Sequence, residues 1–248
     1  MTWFIWLTLA FADDSCRTIT LPDITAVPEP AIIVLGERRG VAMDNLRAVK
    51  VLKALHKKTE SPVTVAVDVV HHKYQHVFEQ YSTGALDILQ LEDALSWRTH
   101  TEVSFTPYRK LFATAVTGGT IHAVGTDLKP PPPEITPPTP GVYPSIVNSV
   151  VPDGELGFGL DAKISKTMAY WDYLVANRAA NEWDGRGYLL IVTERARVEG
   201  GGGIPWQLVR QQDTPVYSFL LAWADPYCAK GDNVWAQNPL LSTLGITP

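Results

Sequence analysis

The chain contains no run of about 18 or more apolar residues among its 248, so the sequence predicts no membrane-spanning helix. It also has no basic stripe. Its 21 Lys and Arg are outnumbered by 26 Asp and Glu, and the net charge of −5 is spread along the chain, which argues against nucleic acid as a partner. No segment repeats with the period of a solenoid or propeller. No Ser or Cys stands in the Gly-x-Ser-x-Gly pattern of a nucleophile elbow. Gly200 to Gly203 lack the Lys and the spacing of a phosphate-binding loop, so that run reads as a turn. Cysteine is reduced to two residues, Cys16 and Cys228.

What remains is 46% hydrophobic and 19% charged, enough for one large domain with a full core. The first twelve residues are apolar and end in Ala10-Phe11-Ala12, the small-residue form of a signal-peptidase site, with Asp13-Asp14 following. They read as a signal peptide over 1–12, or else as an N-terminal strand or buried arm, since no Lys or Arg lies near the start. Export would place the protein in the periplasm or cell envelope of a bacterium. There a Cys16–Cys228 disulfide becomes possible.

Residues 13–30 read as a lead-in without periodicity. Ala31 to Leu35 is a continuous apolar run, as expected of a strand buried on both faces. The loop Gly36-Glu37-Arg38-Arg39-Gly40 follows it. Met43, Leu46, Val49, Leu52 and Leu55 then keep a helical period. Val63 to Val70, Ile121 to Asp127, Tyr188 to Thr193 and Pro215 to Trp223 read as further strands. Helices are expected over 71–81, 86–97, 107–115 and 162–180, with a short one opening at Ile204-Pro205. Alternating strands and helices predict a single α/β domain over 31–248, with a largely parallel central sheet flanked by helices. The proline-rich insertion at about 129–144 favours polyproline II and forms a semi-rigid spacer. It could also serve as a partner-binding segment of a cell-envelope scaffold.

Six segments in order resemble one family. These are Ile33-Val-Leu-Gly-Glu37, Ala66-Val-Asp68, Gln75 through Tyr81-Ser-Thr-Gly84, Trp97 with Pro107-Tyr-Arg-Lys-Leu-Phe112, Thr167-Met-Ala169, and Leu190-Ile-Val-Thr193 through Gly203-Ile-Pro205. Together they resemble the ChaN-like haem-binding uptake proteins. That family lies within the wider superfamily of Tiki proteases and erythromycin esterase-like enzymes. The resemblance implies a ligand crevice at the carboxyl ends of the strands, a place where open α/β sheets bind ligands.

The departures from the family pattern bear on chemistry. Arg39 stands where the family has its first-loop His, and Asp68 replaces a Glu. Glu194-Arg195-Ala196-Arg197 replaces Gly-x-x-His. A guanidinium has no lone pair for a metal and cannot act as a base near neutral pH. Two carboxylates without imidazole make a poor transition-metal site, so a metal cofactor is not expected. The sequence therefore points to binding of a small anionic ligand, haem among the candidates, at Glu37, Arg39, Asp68, Gln75, Glu194 and Arg197. The alternative reading of the arginines is as ion-pair partners of Glu37, Asp68 and Glu194 that bind nothing. A divergent metal-dependent hydrolase using Glu37 and Asp68 is the competing activity. His72 and His76, four residues apart, are candidate haem or metal ligands. If the export reading holds, N-terminal sequencing of the native protein returns Asp13, and an intact Met1 refutes it.

Overall fold

Alternation along the core strands sets the architecture. The computed structural model describes residues 17–126, 160–221 and 233–235. Strand β2 (Ala31–Glu37) is buried at every position. Its Ala31, Ile33 and Leu35 enter one core, while Ile32 and Val34 enter a second core on the opposite face. Strand β5 (Tyr188–Glu194) repeats the pattern, with Tyr188, Leu190 and Val192 set against Leu189 and Ile191. A strand covered on both faces has no polar side to present, which explains the unbroken apolar runs. The first face is covered by α2 (Ala42–Lys58) and α6 (Thr106–Gly118). The second is covered by α7 (Leu160–Asn181) and α8 (Gly203–Gln211).

The sheet also contains β1 (Arg17–Thr18), β3 (Val63–His71), β4 (Gly119–Gly125), β6 (Val216–Leu221) and β7 (Asn233–Trp235). The seven strands lie in the order β1-β7-β6-β2-β5-β3-β4, and all their pairings are parallel. Strand β5 is inserted between β2 and β3. Glu37 is in register with Glu194, and Val67 with Val192. The carboxyl ends of three strands therefore meet at one edge of the sheet.

Several elements depart from the sequence reading. The lead-in holds β1 and a helical turn, α1 (Leu21–Thr25), and β7 is added beyond the expected last strand. Strands of two and three residues are too short to show a period. The helix expected from His71 starts later. Strand β3 runs on to His71, which pairs with Gly125, and a 3-10 turn over His72–Tyr74 precedes α3 (Gln75–Ser82). The helix expected over 86–97 divides into α4 (Ile88–Ala94) and α5 (Trp97–His100), with Ser96 left-handed between them at φ 49°. Asp87 caps α4, accepting from the backbone N–H of Leu89 and Gln90 at 2.8 Å each. The 1–12 segment, the proline-rich insertion and both cysteines lie outside the described residues. No described helix is long and apolar enough to cross a membrane.

Gly203 begins α8 at φ +58°, and a Cβ there would lie 2.1 Å from the carbonyl oxygen of Arg197. Both the left-handed backbone and the close approach require glycine. Gly203→Ala is expected to destabilise the fold by more than about 1 kcal/mol. Chemical denaturation measures this, and an unchanged midpoint would contradict it.

Candidate functional site

The loop after β2 is fixed by its first arginine. Arg38 donates from Nε and Nη2 to the two oxygens of Asp44, each at 2.8 Å, and its backbone N–H reaches Asp44 Oδ2 at 3.1 Å. Asp44 lies in the first turn of α2, where a carboxylate also suits the helix dipole. This paired, charge-assisted contact closes the loop. Arg39, next in sequence, is left to line a cavity of about 500 Å³ at the carboxyl edge of the sheet.

That cavity is bounded by the ends of β3, β4 and β5 and by one face of α7. Its charged lining is balanced. Three cations (Arg39, Lys73 and Arg197) stand with three carboxylates (Asp68, Asp172 and Glu194). His71, His100, Met168 and Trp171 complete its chemically distinct lining.

Asp68 forms the buried floor, its side chain 1% exposed. Its Oδ2 accepts from Thr193 Oγ1 at 2.6 Å and Arg197 Nη1 at 3.2 Å, with Arg39 Nη2 at 3.5 Å. Arg39 also faces Glu194 at 3.6 Å, and Arg197 faces Asp172 at 3.5 Å. Each arginine is thus shared by two carboxylates.

Glu37 lies behind this floor and does not line the cavity. It is 1% exposed. Tyr108 donates to its Oε1 at 2.6 Å and Asn45 Nδ2 to its Oε2 at 2.9 Å, while Gly40 N–H donates to the Tyr108 hydroxyl at 3.2 Å. Burial pushes the Glu37 carboxyl from 4.5 up to about 8, the Tyr108 hydrogen bond opposes this, and the Asp68 charge adds to it. Glu37 is therefore mostly a neutral acid near pH 7. Its proton then needs an acceptor. Asn45 Oδ1, buried and without a hydrogen-bond partner among the described residues, provides one if the amide turns over. Burial and the neighbouring Glu37 push the Tyr108 hydroxyl upward as well.

Residues 24–136 match a family model described as haem-binding uptake, Tiki superfamily, ChaN. Over those residues the chain is similar to ChaN. A solved structure of cofacial haem binding to ChaN of Campylobacter jejuni is similar at TM-score 0.68 and 15% identity, over 87% of this chain and 91% of that one. The type III effector HopBA1 is similar at TM-score 0.52 and 10% identity, over 88% and 92%. RRSP, a toxin effector domain from Vibrio vulnificus, is similar at TM-score 0.50 and 14% identity, over 88% of this chain but 39% of that one. At such identities these likenesses show a shared fold. No curated protein matches the chain significantly.

The sequence-selected residues divide into two groups. Arg39, Asp68, Glu194 and Arg197 meet in the cavity, and Glu37 lies beneath them. Gln75 and His72 serve the edge strand β4 instead. Gln75 Oε1 accepts from Ala123 N–H at 2.8 Å, and His72 Nδ1 reaches Ala123 O at 3.2 Å. Edge strands expose backbone groups that need such partners. His76 Nδ1 bonds Lys73 O at 3.0 Å, and neither His72 nor His76 lines the cavity. Among the described residues no group of three or more His, Cys, Asp or Glu is arranged to hold a metal ion.

Sequence reasoning missed Lys73, His100, Met168, Trp171 and Asp172. Only Thr167-Met-Ala169, within the resemblance, lay close to one of them. The Glu37 carboxyl, raised on folding, binds a proton in the folded state that the unfolded chain has already lost. Stability should therefore fall as pH rises from about 4.5 to about 8, by an amount on the order of a few kcal/mol. Glu37→Gln should flatten this dependence in thermal melts across that range. An equally steep fall in the variant would assign it elsewhere.

Proposed function

We propose that this chain is an exported ligand-binding protein of the bacterial cell envelope. It takes a small anionic ligand, haem being the candidate, and performs no reaction on it. The observation that carries this reading is the cavity itself, which combines an indole and a thioether with three cations at about 500 Å³. That size lies within the range of small-molecule sites. The export part rests on the Ala10-Phe11-Ala12 pattern alone.

The lining fits haem in chemical kind. Trp171 offers a flat apolar face, and His100 and Met168 are types of side chain that ligate haem iron. Haem when bound would supply an iron centre and two carboxylates. Arg39 and Arg197 are already shared by Asp68, Asp172 and Glu194. Lys73 is different. Its ammonium lies 5.0 Å from the Tyr74 ring centroid and pairs with no carboxylate among the described residues. It is the lining cation most available to an incoming carboxylate.

The hydrolase reading needs Glu37 and Asp68 open to substrate. Glu37 is 1% exposed, with both oxygens hydrogen-bonded, and this supports binding over catalysis. Titration with haemin, followed by absorbance, should saturate. Lys73→Glu should weaken binding about tenfold, in line with loss of one charge-assisted contact. Wild-type protein that leaves the haemin spectrum unchanged would overturn the haem reading.

A further inference from the structure

Six histidines occur in the chain, and their surroundings separate them. His56 packs against Gly118, where an added Cβ would meet its Nδ1 at 2.6 Å. His122 faces Glu182 at 3.1 Å. His72 and His76 point Nδ1 at backbone carbonyl oxygens and stand outside the cavity. Two remain as lining residues, His71 and His100.

Their hydrogen bonding sets these two apart. His71 Nδ1 accepts the backbone N–H of Lys73 at 2.9 Å. A neutral imidazole that accepts at one nitrogen carries its proton on the other. His71 Nε2 therefore carries the proton and has no lone pair for a metal. His100 makes no hydrogen bond through either ring nitrogen among the described residues. Either nitrogen can hold the lone pair.

His100 is also held in place. It ends α5, whose first residue Trp97 is 2% exposed and donates from Nε1 to Val103 O at 2.7 Å. Trp97 packs against Phe105, Tyr108 and Phe112 at centroid distances of 5.0, 5.1 and 6.1 Å. The His100 ring itself lies 5.3 Å from that of Tyr74. A fixed backbone thus carries an imidazole whose nitrogens are uncommitted, at the wall of a cavity that also holds an indole and a thioether.

We propose that His100 is the iron ligand of this chain when haem occupies the cavity. The assignment rests on the haem reading above. His100 supplies an imidazole nitrogen to the iron.

The test compares haemin spectra of the full-length wild type, His100→Ala and His76→Ala. His100 is exposed, so its replacement should leave the thermal melt unchanged. His100→Ala should shift the Soret band and weaken haemin binding at least about tenfold, and added imidazole should restore the wild-type band. His76→Ala should behave as the wild type. If wild type and His100→Ala give the same spectrum, the ligand assignment fails and the haem reading stands. If the wild type gives no haem spectrum, both fail.

Discussion

A carboxylate with 1% of its side chain exposed, Asp68, constrains everything at the carboxyl edge of this sheet. Burying such a charge without partners costs several kcal/mol. Its partners come from two other strand ends. Thr193 is the last residue but one of β5, Arg197 follows that strand, and Arg39 follows β2. The β2 loop, the β5 loop and the end of β3 are thereby tied to one oxygen. Removing either arginine would leave the buried Asp68 with one guanidinium instead of two, so both have a structural role whatever the ligand is.

Glu37 meets the same burial in a different way. It has a phenol and an amide for neighbours, and no arginine within bonding distance. Desolvation therefore prevails and the group holds its proton to about pH 8. Of the two carboxyls at the ends of β2 and β3, one is beside neutral donors and the other beside guanidinium groups. The pairing also explains the positions of the arginines. An imidazole changes charge within the physiological range, whereas a guanidinium is always charged.

The wall of the cavity is organised by packing more than by charge. Trp97, Phe105, Tyr108 and Phe112 form one aromatic cluster. Tyr108 couples it to Glu37, and Trp97 couples it to α5 and hence to His100. A four-residue helix has little stability of its own, so this cluster is what holds it. The edge strand β4 is completed by side chains in a comparable way. Gln75 and His72 take both backbone groups of Ala123, and Arg178 donates to the carbonyl of Gly125 at 2.8 Å.

The sequence by itself determined the α/β class, the long core elements and their order along the chain. Continuous apolar runs and a 3.6-residue period follow from burial on two faces or on one, and both are local properties. It also marked Arg39, Asp68, Glu194 and Arg197, because they fall at motif positions of the family resemblance near strand ends. Only the tertiary structure decided that β5 inserts between β2 and β3, which brings residues 39, 68 and 197 to a common point. No local pattern encodes strand order, since it depends on contacts between residues more than a hundred positions apart. The same holds for the histidines. His72 and His76 stood out by their spacing, but the backbone of β4 and the 3-10 turn engage them. His100 carried no motif, and its place in the cavity wall depends on an aromatic cluster assembled only when the chain folds.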